Sequence, residues 1–339
     1  MKKYFVFAAL VLAAAVSCTR EIATEEVVAP KKGYVQITLS ATCDPDTKST
    51  LDGNKVVWSV GEEVAVFPDG ASTPEKFTVK EVDGSKVTIT GAVPQGTSNF
   101  IAAYPYSKVV SADGAVKMNI TDQTVSGTQV IDPAALESIA YFESVDATPV
   151  FKNTVALASF SVAVEGVTKV TLTPGTGAFA GQVAVTAKPG DDAPEIAAIA
   201  DAAVPSVSVS NPDGFTKDQV YYAAVIPGEF TGLKAGISVG NKFGYKTTDK
   251  AGTFSRSKIL PLGTLTAGTL KLGVITNAAE LAEFLASADT YTADEQVELG
   301  NDIDLSGATI ASAASFAGTL DGQGHSLKNW TSNGVSLFK

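Results

Sequence analysis

Apolar and polar residues alternate with a period of two through most of this chain. Val35, Ile37 and Leu39 alternate with Gln36, Thr38 and Ser40, and Val116, Met118 and Ile120 repeat the pattern. Side chains two apart share one face of a strand, so these are half-buried strands in expectation. Phe77 and Val79 lead to Asp83-Gly84, and Val87 and Ile89 follow. That predicts a hairpin, because Asp-Gly tolerates the positive φ of a tight turn. Further strands are predicted over 56–60, 64–68 and 100–104. No helix-period segment of convincing length interrupts them, and 133–139 offers one short turn of helix at best.

A second β block runs over 149–272. It holds apolar runs at 155–164, 167–172, 182–187, 207–209 and 220–226, then the pair 236–239 and 244–248, turned by Asn241-Lys242-Phe243-Gly244. Short strands with turn signals every 8 to 12 residues predict sandwiches. The alanine-rich stretch 191–205 reads as a long loop. The last segment, 273–339, differs. Asn277 with Glu280 three residues on can cap a helix. Leu281, Phe284, Leu285 and Ala288 give that helix one apolar face. Short runs around Val297, Ile303, Leu320 and Leu327, with Asp-Gly and Gly-x-Gly corners, suit rungs of a β-solenoid. A solenoid needs at least ~3 rungs and a cap. Barely two fit, so a chain truncated at its C-terminus is the expectation.

The N-terminus carries a different signal. Lys2 and Lys3 precede an apolar run from Tyr4 to Val16, followed by Ser17 and Cys18. A charged end, a short apolar run, small residues and a cysteine form the order of a bacterial lipoprotein signal. The run is far short of the ~20 residues that span a bilayer. Residues 1–17 are therefore expected to be removed, and Cys18 to carry lipid that anchors the chain to a bilayer. Residues 18–32 read as a tether.

Composition narrows the chemistry. The formal net charge is −11 and arginine occurs only at Arg20 and Arg256. An acidic chain repels phosphate backbones, which argues against nucleic-acid binding. With Cys18 used by the anchor, Cys43 has no intramolecular partner for a disulfide and reads as a small buried thiol. The single histidine, His325, rules out a zinc site built on several histidines. No metal, cofactor or catalytic assignment follows.

Three passages resemble the fimbrillin-like surface lipoproteins of the Bacteroidales. The first runs from Lys48 through Trp58-Ser59-Val60-Gly61-Glu62 to Phe67. The second is Phe151-Lys152-Asn153 with Leu157 to Val162. The third is Tyr221 to Phe230 followed by Leu260-Pro261-Leu262-Gly263-Thr264-Leu265. The resemblance implies an all-β fold with two tandem transthyretin-like β-sandwiches, here 33–148 and 149–272, followed by the short helix and incomplete solenoid rungs. It also implies an outer-membrane or cell-surface location, and a role as a pilus subunit, pilus accessory or adhesin without catalysis. In such subunits a protease cuts after a basic residue and frees a groove for a strand from another subunit. Arg20, Lys32 and Lys48 are the candidate cut sites. A pilin would end on a strand to donate, whereas this chain enters a solenoid-like segment, which favours a surface-anchored adhesive stalk. That segment, through Asn301 to Leu305 and Phe316 to Asn329, is similar to the opening rungs of bacterial surface β-helix repeats. Such repeats face host or dietary glycans or proteins.

The remaining polar and aromatic groups have bland readings beside sharper ones. Trp58 packs in the first sandwich rather than stacking on a sugar. Tyr104-Pro105-Tyr106 and Tyr221-Tyr222 bury one member of each pair by alternation. Asp302 and Asp304 are turn carboxylates rather than calcium ligands. A carbohydrate-active β-helix could draw on Asp302, Asp304, Asp321, His325 and Lys328, but one or two rungs do not build its groove. A glycan-binding lipoprotein is the other alternative.

Overall fold

The structure, a computed structural model, describes residues 31–43, 58–69, 71–266, 268–313, 315–331 and 336–338. The fold is all-β. The first strands are β1 (Tyr34–Cys43), β2 (Glu63–Pro68), β3 (Glu75–Asp83), β4 (Lys86–Pro94) and β5 (Phe100–Tyr104). The chain then leaves for β6 (Val109–Asp113), β7 (Ala115–Ile120) and β8 (Gln123–Thr124), and returns for β9 (Ser138–Phe142) and β10 (Val150–Asn153). Seven of these, in the order β1-β10-β9-β5-β2-β3-β4, close into a barrel. The first block is thus a barrel rather than two facing sheets, because β1 pairs with both β4 and β10 and joins the two ends of the sheet.

The second body comprises β11 (Ala156–Val162), β12 (Val167–Thr176), β13 (Ala180–Thr186), β14 (Glu195–Val204), β15 (Val207–Ser210), β16 (Tyr221–Val225), β17 (Gly228–Val239), β18 (Lys242–Phe254) and β19 (Ile259–Leu265). It borrows strands from the first half of the chain. The hairpin β6–β7 pairs with β13 in a four-stranded sheet, β14-β13-β7-β6. β8 pairs with β15. In return β10, which lies beyond residue 149, completes the barrel. The chain therefore crosses between the bodies instead of filling one before the other.

This exchange explains the sequence pattern at the boundary. Val64 and Val66 face the barrel core with Phe77, Phe100 and Phe142, while Ala65 and Phe67 face the second core with Met118 and Ile139. A strand covered on both faces loses alternation and reads as a continuous apolar run. The same cause overturns the expectation for Tyr221-Tyr222. Both rings are buried, since every residue of β16 is.

Other expectations shift at turns and edges. Val116, Met118 and Ile120 are buried as alternation predicts. On β1 only Leu39 and Ala41 are fully buried, and Val35 is 37% exposed. The hairpin after Asp83 forms as predicted, with Gly84 taking the positive φ, +57°. The later turn spans Val239 to Lys242 with Gly240-Asn241 at its centre, two residues earlier than expected, since Val239 pairs with Lys242. Residues 58–60 form a turn rather than a strand, and 56–57 lie outside the described residues. The stretch 191–205 contains an exposed edge strand, β14, held by backbone pairing to β13. Its register breaks between Ala198 and Ala203, and such a bulge on an edge discourages further pairing.

The third segment holds β20 (Lys271–Leu272), β21 (Val274–Ile275), α1 (Ala278–Ala286), β22 (Gln296–Leu299), β23 (Ile303–Asp304), β24 (Thr319–Asp321) and β25 (Leu327–Lys328). Asn277 caps α1 by accepting from the Glu280 amide at 3.0 Å. Glu280 reaches back to the Thr276 amide at 2.7 Å, one residue earlier than in a standard capping box. The short strands stack in parallel: Val274 on Glu298, Gln296 on Thr319, Ile303 on Leu327. β20 extends the six-stranded sheet β20-β18-β17-β12-β15-β8, so the rungs begin directly off the second body. The buried Glu295 carboxylate fixes the joint, accepting from Lys271 Nζ at 2.9 Å and the Thr292 amide at 2.7 Å.

One buried side chain ties the halves together. Gln123 Nε2 donates to the Ala224 carbonyl at 2.7 Å, and the Ala224 amide donates to Gln123 Oε1 at 2.9 Å. The amide group so continues the edge of β16. Gln123→Ala leaves two buried backbone groups without a partner, and each such loss costs about 1–3 kcal/mol. Chemical denaturation is expected to report a loss of about 2–6 kcal/mol for this variant.

Candidate functional site

The barrel has one weak seam, and β1 lies in it. On one side β1 forms a continuous antiparallel ladder with β4, from Tyr34↔Pro94 to Thr42↔Lys86. On the other it meets β10 only at Thr42↔Val150 and Cys43↔Phe151, in parallel. Among the described residues, Tyr34 to Ala41 have no strand on that side. β9 beyond Ile139 likewise has none on the side facing β10. An unpaired row of backbone N–H and C=O groups is a template for another strand.

What holds β1 is concentrated at its C-terminal end. Leu39 and Ala41 are fully buried in the barrel core. The Cys43 amide donates to the Ser85 carbonyl at 2.9 Å, and its half-buried side chain sits on the last residue of the strand. Trp58 braces the same seam, half-buried against Tyr104 and Phe151 with ring centroids 4.3 and 5.0 Å away. Its packing reading holds. At the N-terminal end the contacts are lighter: the Tyr34 hydroxyl donates to Glu75 at 2.9 Å, and the Gln95 amide donates to the Gly33 carbonyl.

Of the residues singled out in the sequence, Lys32 lies exposed in the turn that enters β1. Cys18, Arg20 and Lys48 lie outside the described residues. The positions still differ in consequence. A cut after Lys32 leaves β1 joined to the barrel. A cut after Lys48 separates β1 from β2, so that only non-covalent contacts retain it. No helix among the described residues is long and apolar enough to cross a membrane.

The acidic groups of the third segment are occupied in joining rungs. Asp302 accepts from Lys328 Nζ at 2.6 Å and from the Ser326 amide. Asp304 accepts from Asn329 and from the Ser306 amide. Those donors hold both carboxyls below the usual range. Asp321 accepts from the Gln323 amide within its own corner. His325 Nδ1 lies 3.7 Å from Asp302. Among the described residues no three His, Cys, Asp or Glu side chains are grouped to hold a metal. Tyr104 and Tyr106 form no open platform: Tyr104 is buried, and the Lys76 ammonium lies 4.7 Å over the Tyr106 ring.

Sequence reasoning missed Glu137. It directly precedes β9 and faces Thr154 across the pair with β10, where the Thr154 amide donates to the Glu137 carbonyl at 2.9 Å. Glu137 is 1% exposed and Thr154 0%. Neither carboxylate oxygen, nor the threonine hydroxyl, has a hydrogen-bond partner. Its only signal in the sequence is a charged residue inside the apolar run from Leu136 to Phe142. Burial pushes the Glu137 carboxyl up to about 8, with the nearby Lys108 charge acting in the opposite direction.

No protein-family model matches the chain, and neither does any curated protein. Several solved structures are similar to it. One is a candidate cell adhesion protein of Bacteroides uniformis, 16% identical, the match covering 72% of this chain and 96% of that one, with a TM-score of 0.41. Another is a candidate cell adhesion protein of Bacteroides ovatus, 12% identical over 70% of this chain and 98% of that one, with a TM-score of 0.42. A fimbrial protein of Bacteroides ovatus is 12% identical over 69% of this chain and 50% of that one, at 0.31. At scores below 0.5 these likenesses fix neither the function nor the details of topology.

The buried acid makes stability depend on pH. A carboxyl raised to about 8 in the folded chain favours folding when protonated. Its contribution is fully present below the ordinary pKa of about 4.5 and is lost as pH rises through about 8. The full span is about 5 kcal/mol. Denaturation midpoints measured from pH 4 to 9 should fall across that window, and Glu137→Gln should flatten this part of the profile.

Proposed function

We propose that the chain is a lipid-anchored structural or adhesive protein of the bacterial outer surface, related to pilus components and without catalysis. Cys18 carries the acyl anchor to the outer membrane. The barrel and second body form the base, and the parallel rungs of the third segment extend from it as the start of an adhesive stalk. The β1 seat is where a strand from another subunit adds.

The observation that carries this reading is the asymmetry of β1. It is the first strand among the described residues, it is fully paired on one edge, and it meets only two residues of β10 on the other. Release of β1 would leave β4 and β10 as unpaired rims over the cavity vacated by Leu39 and Ala41. An incoming strand would recover main-chain hydrogen bonds from the rims and specificity from alternate side chains in the core. Of the three candidate cut sites, Arg20, Lys32 and Lys48, only Lys48 lies where a cut would permit this. The blunt edge at β14, bulged in mid-strand, suits a surface that avoids indiscriminate pairing elsewhere. The stalk reading rests on continuity, since β20 belongs to the second body's sheet and β21 to the first rung.

The test uses the full chain with a specific protease site in place of Lys48, and a fluorescent peptide matching residues 33–43. After cleavage the labelled peptide should enter the barrel, raising fluorescence anisotropy. It should not enter the uncut chain, and a peptide carrying Leu39→Asp should fail to enter the cut one. Equal uptake by cut and uncut chains, or none by either, would contradict the proposal.

A further inference from the structure

A cavity of about 230 Å³ opens between the outer face of the six-stranded sheet and the turn that leads into β22. Thr171, Gly236 and Tyr245 cross its floor as neighbours on β12, β17 and β18. Gly236 is the residue that local structure does not explain. Register is unbroken from Leu233 to Val239, and the glycine is not among those with a positive φ. A Cβ placed there would come no nearer than 3.7 Å to any neighbouring atom. Neither conformation nor crowding calls for glycine, although glycine weakens a strand interior. A glycine in such a place also marks where a ligand approaches the backbone, and the space above this one is the cavity.

The walls carry fixed polar groups, with Phe243 beside them. The Lys234 ammonium lies 4.1 Å from the centre of the Tyr245 ring and pairs with Asp294 at 2.7 Å. The buried Glu295 borders the same space. Thr173 and Ser238 add hydroxyls from the sheet, and Gln296 adds an amide from the far wall. This lining selects among ligand classes. An anion would meet Asp294 and Glu295 on a chain of net charge −11, beside an ammonium that is already paired. A wholly apolar ligand would strip water from hydroxyls it cannot replace. A neutral polyhydroxylated ring meets both conditions, exchanging hydrogen bonds at its hydroxyls and laying its C–H face over the bare backbone. The volume is below the roughly 300–1,000 Å³ of drug-sized sites, so one ring fits and a chain does not.

We infer that this cavity binds a single neutral sugar ring seated over Gly236, between Tyr245 and Gln296. The site does not involve the β1 seat, and it exists only because the third segment is locked against the second body. Saturation-transfer NMR on the full chain tests it with the methyl glycosides of glucose, galactose, mannose and N-acetylglucosamine, and with methyl glucuronide as the anionic comparator. At least one neutral glycoside should bind, and the glucuronide at least tenfold more weakly. Gly236→Val, which fills the floor, and Gln296→Ala, which removes the far wall's amide, should each weaken binding at least tenfold with the thermal transition retained. If Gly236→Val does not fold, Gln296→Ala decides alone. No transfer to any neutral glycoside, or affinity unchanged in the folded variants, overturns the inference.

Discussion

Every strand edge must be paired, covered or disfavoured, because a row of unsatisfied backbone groups is costly when buried and adhesive when exposed. This chain meets that constraint by exchanging strands between its halves. The hairpin β6–β7 and the short β8 leave the barrel to complete sheets of the second body, and β10 comes back to complete the barrel. Strands β2 and β5 are consequently covered on both faces, with Phe100 and Ala102 on one side and Phe67 and Ala103 on the other. The two hydrophobic cores share walls, and neither wall is complete without residues from both halves.

Within the barrel β1 is the weakly paired strand. It contributes Leu39 and Ala41 to the barrel core, yet among the described residues most of its second edge has no strand beside it. It is also the strand that enters from the N-terminal side, where the anchor is proposed. A strand that is well seated in the core but paired on one edge is suited to being held until it is released. The third segment is attached differently. Its joint is a continuous sheet, clamped by Lys271–Glu295 and Lys242–Glu283 and by the Asn241 amide on the Val274 carbonyl. The two attachments suit different tasks, exchange at one and rigid presentation at the other.

Much of the fold was legible where one face of a strand is buried and the other wet. The runs at 116–120, 77–89 and 100–104 form strands at those places, and the helix after Asn277 buries the face its 3.6-residue period indicates. What was not legible arises from contacts distant in sequence. Val64 to Phe67 and Tyr221-Tyr222 carry no alternation because partners far along the chain cover both faces. β14 escaped notice because its alanines carry little β signal and backbone pairing to β13 holds it. Gln123 and Glu137 look like ordinary surface residues, and only their partners, or lack of them, mark them out. At the candidate site, Lys32 and Trp58 fall near the β1 seam. The asymmetry of the ladders around β1 could not be read from residue order. Neither could the cavity over Gly236, whose walls come from β12, β17, β18 and the 294–296 turn.

The central claim is that strand exchange binds the barrel and second body into one cooperative unit, with β1 alone separable from it. Native-state hydrogen exchange followed by mass spectrometry measures this directly, since local opening and global unfolding differ in free energy. The account predicts that amides of residues 34–41 exchange through a low-energy opening of their own, while those of β6–β8 exchange together with β13 and β15. Exchange of β1 only with the rest of the barrel, or of β6–β8 separately from the second body, would contradict it.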